Sequence, residues 1–231
     1  MAVVPNSRTR IDVMTPSRRG CVITPIPSGR LPSAAMSRQQ MIWPAPADLE
    51  RDGTFACLDF VNSEWTDWRG RDAPTDHLGN PEWWRRFLER WGMSGARVTA
   101  PTRRRLAELR KLRQLMRNVL QNGRRPTRSE ISWLDRRLAS SPHRWAFNPR
   151  EWGLTYRVVP TRPGWPAVTA ALILSFSRLL NESDRSRIKK CANPDCSYLF
   201  YDVSTNHSRR WCFSNVCGNL MHVRDFRARS N

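Results

Sequence analysis

The sequence predicts an α+β protein: a mainly helical N-terminal domain with a small β-hairpin, followed by a small cysteine-stapled module of treble-clef-like form. Three observations predict it. Apolar residues recur at helical spacing behind capping residues between positions 80 and 140. The apolar period drops to two between 145 and 158, and four of the six cysteines fall in two equally spaced pairs near the C-terminus.

Residues 1–46 are rich in Pro, Ser and Arg, hold a single acid (Asp12) and show no periodicity. They are expected to be disordered, or to precede a true start at Met36 or Met41. From Phe55 the stretch Phe-Ala-Cys-Leu-Asp-Phe-Val-Asn reads as a buried helix or helix start. Asn80-Pro81-Glu82 supplies an N-cap, a proline at the first helical position and an acid in the first turn. The helix it opens is expected to bury Trp84, Phe87, Leu88 and Trp91 and to stop at Gly92.

Thr102 caps a longer helix with Leu106, Leu109, Leu112, Leu115 or Met116, and Val119 or Leu120 on one face, ending near Gly123. Thr127 and Glu130 have capping-box spacing and open a helix expected to bury Ile131, Leu134 and Leu138. Trp145/Phe147 and then Trp152, Leu154, Tyr156 and Val158 alternate around Asn148-Pro149, a hairpin pattern. Pro166 starts a helix to about Leu180 that is apolar on most sides, the expected central helix. These elements divide the chain into a tail (1–46), a helical α+β domain (47–185) and a C-terminal module (186–231), the last two with separate cores.

The 231 residues carry a formal charge of +19, and 36 of the 39 basic residues are Arg. Such a chain is attracted to nucleic acid or to anionic surfaces. The longest apolar run, Ala167 to Leu174, is far short of the ~20 residues a membrane span needs. No apolar secretory region opens the sequence, so a reducing, cytoplasmic setting is expected.

In that setting Cys191-x4-Cys196 and Cys212-x4-Cys217 read as a zinc site rather than as disulfides. Zinc takes four soft ligands in a tetrahedron, and four thiolates leave no position open for catalysis, so one structural Zn2+ is expected. His207 is a minor alternative ligand at an expected turn tip. The stretch Tyr198 to Val203 is expected to pair with Arg209-Arg210-Trp211 across a turn at Asn206. Ser214 is expected to cap a helix with Cys217 in its first turn. A module under 50 residues needs such a staple, and metal binding then supplies its folding free energy.

Residues 185–231 hold nine basic and three acidic side chains, so with a four-thiolate zinc site the module keeps a net charge of about +4. Arg209, Arg210, Arg224, Arg227 and Arg229 are either nucleic-acid contacts or a solvated basic face. Val223 and Phe226 are expected to pack on the module's hairpin. Trp65, Trp68, Trp83 and Trp84 suggest a ligand cage, with core packing the preferred role at Trp84. Asp59, Asn62 and Glu64 either line a small-molecule pocket or cap helices, and capping is preferred. Cys57 reads as a small core hydrophobe and Cys21 as an unstructured thiol. No nucleophile–base pair, phosphate loop or dinucleotide motif appears, so no enzyme is expected.

Cys191-Ala-Asn-Pro-Asp-Cys196, Phe200 and Arg210-Trp-Cys-Phe-Ser-Asn-Val-Cys-Gly-Asn219 resemble the CGNR zinc-finger proteins, bacterial transcription regulators. In that family the finger follows an ABATE domain, and Leu58-Asp-Phe-Val-Asn62 is similar to its opening motif. The resemblance covers residues 50–231. It implies DNA as partner, Asn219 as a further contact, and an N-terminal domain that senses a small-molecule signal or dimerises. Leu220 stands where the family motif has Arg, and His222 and Asp225 replace common basic positions. That departure keeps open the alternative of a zinc-stapled module that binds other proteins.

Overall fold

The computed structural model describes residues 50–51, 53–66, 69, 73–96, 98–147 and 156–230, all within one compact unit spanning 40–231. The N-terminal tail, Cys21, Trp68, Asn148-Pro149, Trp152 and Leu154 lie outside the described residues.

A two-residue ladder, β1 (Glu50–Arg51) against β2 (Thr54–Phe55), leads into α1 (Ala56–Val61), which buries every residue but Asp59. A second short pair, β3 (Glu64–Trp65) with β4 (Thr75–Asp76), is followed by α2 (Pro81–Arg90). The Asn80 carboxamide accepts from the Glu82 and Trp83 amides, and the chain leaves α2 through Gly92 at φ +64°. The Trp84, Phe87, Leu88 and Trp91 side chains are buried as their spacing predicts.

Helix α3 (Arg103–Asn122) is capped by the Thr102 hydroxyl and ends on Gly123 in the left-handed region, which spares the turn a Cβ clash. Helix α4 (Arg128–Ala139) opens on the expected capping box. Its inner face differs from expectation. Ile131 is exposed, while Trp133 and Leu134 are buried. The Lys111 ammonium and the Arg137 guanidinium cover the Trp133 ring at 5.3 and 4.8 Å, so a large amphipathic aromatic takes the inward place.

Strands β5 (His143–Phe147) and β6 (Tyr156–Pro160) pair antiparallel, with Trp145 opposite Val158. The hairpin is the expected one, but its larger apolar residues are not all on the core side. Trp145 is 68% exposed, whereas Ala146 packs on the core and Val159 is buried. A strand has period two, so Ala146 and Val159 face the core while Trp145, one position away, faces outward. Helix α5 (Trp165–Asn181) is the central element, buried on most sides as expected. It crosses α1, where the Cys57 amide donates to Ser175 Oγ at 3.1 Å, and Cys57 is a buried core residue.

The C-terminal region adds β7 (Ile188–Lys190), β8 (Leu199–Tyr201) and α6 (Asn219–Arg229). Here the structure corrects the expected hairpin: β8 pairs with β7, upstream of the first cysteine, and not with residues 209–211. The cysteine cluster with Phe200 forms a small core of its own, but the hairpin that carries it also enters the main core. Leu199 is 1% exposed within the main core, with Ile188 and Tyr201 packed against that core. Among the described residues no helix is long and apolar enough to cross a membrane.

Candidate metal centre and its junction with the helical body

The β7–β8 hairpin places Cys191 just after β7 and Cys196 three residues before β8. The turn between them closes by Cys196 N–H donating to Asn193 O at 3.0 Å, and Cys191 N–H donates to Tyr198 O at 2.9 Å. The second pair comes from the chain entering α6. Phe213, in extended conformation, leads into a wide π turn over Ser214–Gly218, whose Gly218 amide reaches Phe213 O at 3.2 Å. Ser214 lies inside this turn and makes no side-chain cap, contrary to the expected capped α-turn. Cys217 sits within it. A Cβ on Gly218 would stand 3.0 Å from the Trp211 ring, so glycine there lets the indole close over the cluster.

All four cysteines are buried, and their sulfurs lie within 4.8 Å of one another. Cys212 Sγ is 3.9 Å from Cys196 Sγ and 3.5 Å from Cys217 Sγ. Four sulfurs about 2.3 Å from one zinc in a tetrahedron stand about 3.8 Å apart, so the cluster fits that ion. Two N–H groups support the sulfurs from outside: Asn193 Nδ2 reaches Cys217 Sγ at 3.5 Å, and Cys212 N–H reaches Cys191 Sγ at 3.4 Å. His207 lies outside the cluster, at a left-handed loop position with φ +52°.

Electrostatics agree with a cation site. The hydrogen bond with Cys212 holds the Cys196 thiol below its usual range, and the same bond drives Cys212 upward. Burial pushes Cys217 up as well. Packed thiols therefore cannot all ionise by themselves, and a divalent cation removes that conflict.

The loop between the two pairs is organised by Asp202, which is fully buried. Its carboxylate accepts from Lys189 Nζ at 2.7 Å, Ser204 N–H at 2.9 Å and Arg209 N–H at 3.0 Å. Burial alone would raise this acid, but the lysine and the serine hold it well below the ordinary carboxylate range. Asp202-x-Ser204 is an Asx-turn pattern, the sequence signal that marks this scaffold.

The six residues expected at nucleic acid separate into two groups. Arg209 folds back over the Phe200 ring at 4.4 Å, donates from Nε to Trp211 O at 3.1 Å and from Nη2 to Cys212 O. Arg224 pairs with Asp195 at 2.7 Å and so ties α6 to the first cysteine turn. Arg210, Asn219, Arg227 and Arg229 are exposed. Val223 and Phe226 do not pack on the hairpin as expected; they are 40% and 65% exposed.

The finger is fastened to the helical body at Ser197 and Leu199. The Asn62 carboxamide donates to Leu199 O at 2.8 Å and accepts from Leu199 N–H at 2.9 Å. Arg117, buried on α3, donates to Ser197 O at 3.0 Å and to Val61 O at 2.6 Å. Asn62 is also the C-cap of α1, its N–H donating to Leu58 O at 2.9 Å, as the capping reading expects, while its side chain is spent on Leu199. Asp59 does not cap: its carboxylate accepts from Trp91 Nε1 at 3.0 Å and pairs with Arg90 at 3.1 Å. Glu64 sits 3.6 Å from Arg113.

Comparison with known proteins agrees with this architecture. The family model of the CGNR zinc finger matches residues 187–230. The ABATE model, described as a putative stress-induced transcription regulator, matches residues 55–183. No curated protein matches the chain. With more than half of its length matched by that model, and the finger following in the same order, the chain belongs to the ABATE family and carries a CGNR zinc finger at its C-terminal end.

Proposed function

We propose that the protein is a DNA-binding transcription regulator of a bacterial cytoplasm, with no catalytic step. One structural Zn2+ on Cys191, Cys196, Cys212 and Cys217 braces α6 for DNA, while the helical domain (47–185) senses a signal or dimerises. The observation that carries the reading is α6 itself. None of its eleven residues is buried, and it leaves the cysteine cluster with Arg227 and Arg229 exposed and Arg210 nearby in the chain. One face of the helix, with Leu220, Met221 and Arg224, is partly covered; the exposed remainder is available to a partner, and exposed guanidinium groups suit phosphate oxygens.

A second reading rests on a specific observation. Val223 and Phe226 are exposed on α6, and Leu220 replaces the motif Arg, which suits a zinc-stapled surface covered by another protein. The test is recovery of DNA with the tagged protein across the genome, followed by salt titration of the fragments recovered. Enrichment with a negative log K against log salt slope supports the DNA reader. Capture of protein alone, with no DNA enriched, favours the interaction module.

A further inference from the structure

An open cleft of about 330 Å3 lies where the helical body meets the finger. That is the low end of the volumes that hold small molecules. Its apolar walls are Trp65 on β3, Trp83 and Phe87 on α2, and Tyr198 of the finger, with Asn62 and His77 as polar members of the lining. Trp83 and Phe87 stack with ring centroids 5.0 Å apart. Asp59 also lines the cleft, and both of its hydrogen-bonded contacts, to Trp91 and Arg90, use Oδ2. Among the described residues Oδ1 has no hydrogen-bond partner. Burial raises the Asp59 carboxyl above its ordinary range, against the opposing pull of Arg90 and Trp91.

The sign of the ligand follows from which charge is driest. Arg86 and Arg90 stand at the rim, more than half exposed, and are engaged by Glu82 and Asp59. Solvent screens them. Asp59, only 21% exposed at its side chain, acts through a lower dielectric. An anion in the cleft would face that carboxylate, whereas an ammonium N–H can bond Oδ1, which Arg90 and Trp91 leave unused, with its body beside the aromatic walls.

We propose that this cleft binds a small organic ammonium ion with an apolar or aromatic body, its N–H groups on Asp59 Oδ1 and its body against Trp65, Trp83 and Tyr198. Such an occupant touches the helical body and the finger at once. Tyr198 lies between Ser197 and Leu199, the two residues that Arg117 and Asn62 hold. The assignment deepens the sensing role proposed above and rests on it for its regulatory meaning.

The test is calorimetric titration of the zinc-loaded full chain, without DNA, with 2-phenylethylammonium and with its anionic counterpart 3-phenylpropionate. The ammonium ion should bind at least about tenfold more tightly than the anion. Trp65→Ala, at a half-exposed wall, should weaken ammonium binding several-fold without lowering the melting temperature, and Asp59→Asn should erase the preference for the cation. Tighter binding of the anion, no heat from either probe at millimolar concentration, or ammonium binding unchanged in Trp65→Ala and Asp59→Asn would overturn the assignment. Because DNA is absent, failure here removes the cleft ligand alone. A chain that binds the ammonium ion but enriches no DNA loses the DNA reading alone.

Discussion

Asn62 and Leu199 are joined as residues of neighbouring strands would be, although 137 positions separate them. One carboxamide takes the place of a peptide group, donating and accepting at 2.8 and 2.9 Å. It satisfies the outer edge of β8, which would otherwise present an unpaired N–H and C=O next to the core.

Replacing Asn62 by Ala should therefore cost about 1–3 kcal/mol, because it strands two backbone groups at a partly buried junction. Asn62→Asp should cost more than Ala, since a carboxylate cannot donate to Leu199 O and repels it. Thermal melting of the zinc-loaded protein measures both. An unchanged melt in Asn62→Ala would mean that water replaces the bridge without loss.

Metal removal should be felt beyond the finger. X-ray absorption is expected to show a first shell of four sulfurs and one zinc per chain; nitrogen or oxygen there contradicts the site. Chelation, or Cys196→Ser, should lower the melting temperature of the whole described unit in one transition, because Leu199, Ile188 and Tyr201 belong to or pack on the main core. Two well-separated transitions, with the helical part unmoved, would show that the finger melts alone.

Asp76 gives the fold an acid-sensitive point. Burial works against its ionisation, but Arg113 and Arg110 bond it and hold its pKa at about 2, down from 3.8. The folded value lies below the unfolded one, so the stabilisation is complete above about pH 4 and is lost as pH falls through about 2. Asp76→Asn should be less stable than the parent at pH 6, and the difference should close between about pH 4 and 2. Urea midpoints of the two proteins across that range test this; taking their difference cancels the loss of metal common to both. A constant gap would contradict the account.

Arginine roles on and near α6 should separate by salt dependence. Neutralising Arg210, Arg227 and Arg229 together should flatten the log K against log salt slope by up to about three phosphate equivalents. Arg224→Ala should act differently, because Asp195 already uses that guanidinium. It should lower the melting temperature of the described unit and change the slope by less than one equivalent. A triple variant with an unchanged slope would remove α6 as the reader.

What the sequence made legible was local. Asn80, Thr102 and Thr127 cap the helices they precede, because a cap and its first turn lie within four residues. The Cys-x4-Cys pairs were legible because ligand spacing is itself local. The phase of the β5–β6 hairpin was not: Trp145 and Val158 are opposite one another, yet the core accepts Ala146 and Val159, a choice set by tertiary packing and not by local pattern. Ile131 and Trp133 exchanged places for a similar reason, since cations from α3 and α4 cover the indole. The partner of Asn62 lies in the other half of the chain, and no local pattern names it. Its polarity inside an apolar run was the one available hint.

Strand β8 and the residue before it alternate between two interiors. Tyr198 and Phe200 pack on the cysteine cluster, while Leu199 belongs to the main core and Tyr201 packs against it. A finger built this way is not a portable cassette. Moved to another protein it would carry two naked apolar side chains, and the donor would be left with a hole where Leu199 had been. Exchange of fingers between relatives by recombination should therefore succeed only when residues 198–201 travel together with the α1 and α3 positions that receive them.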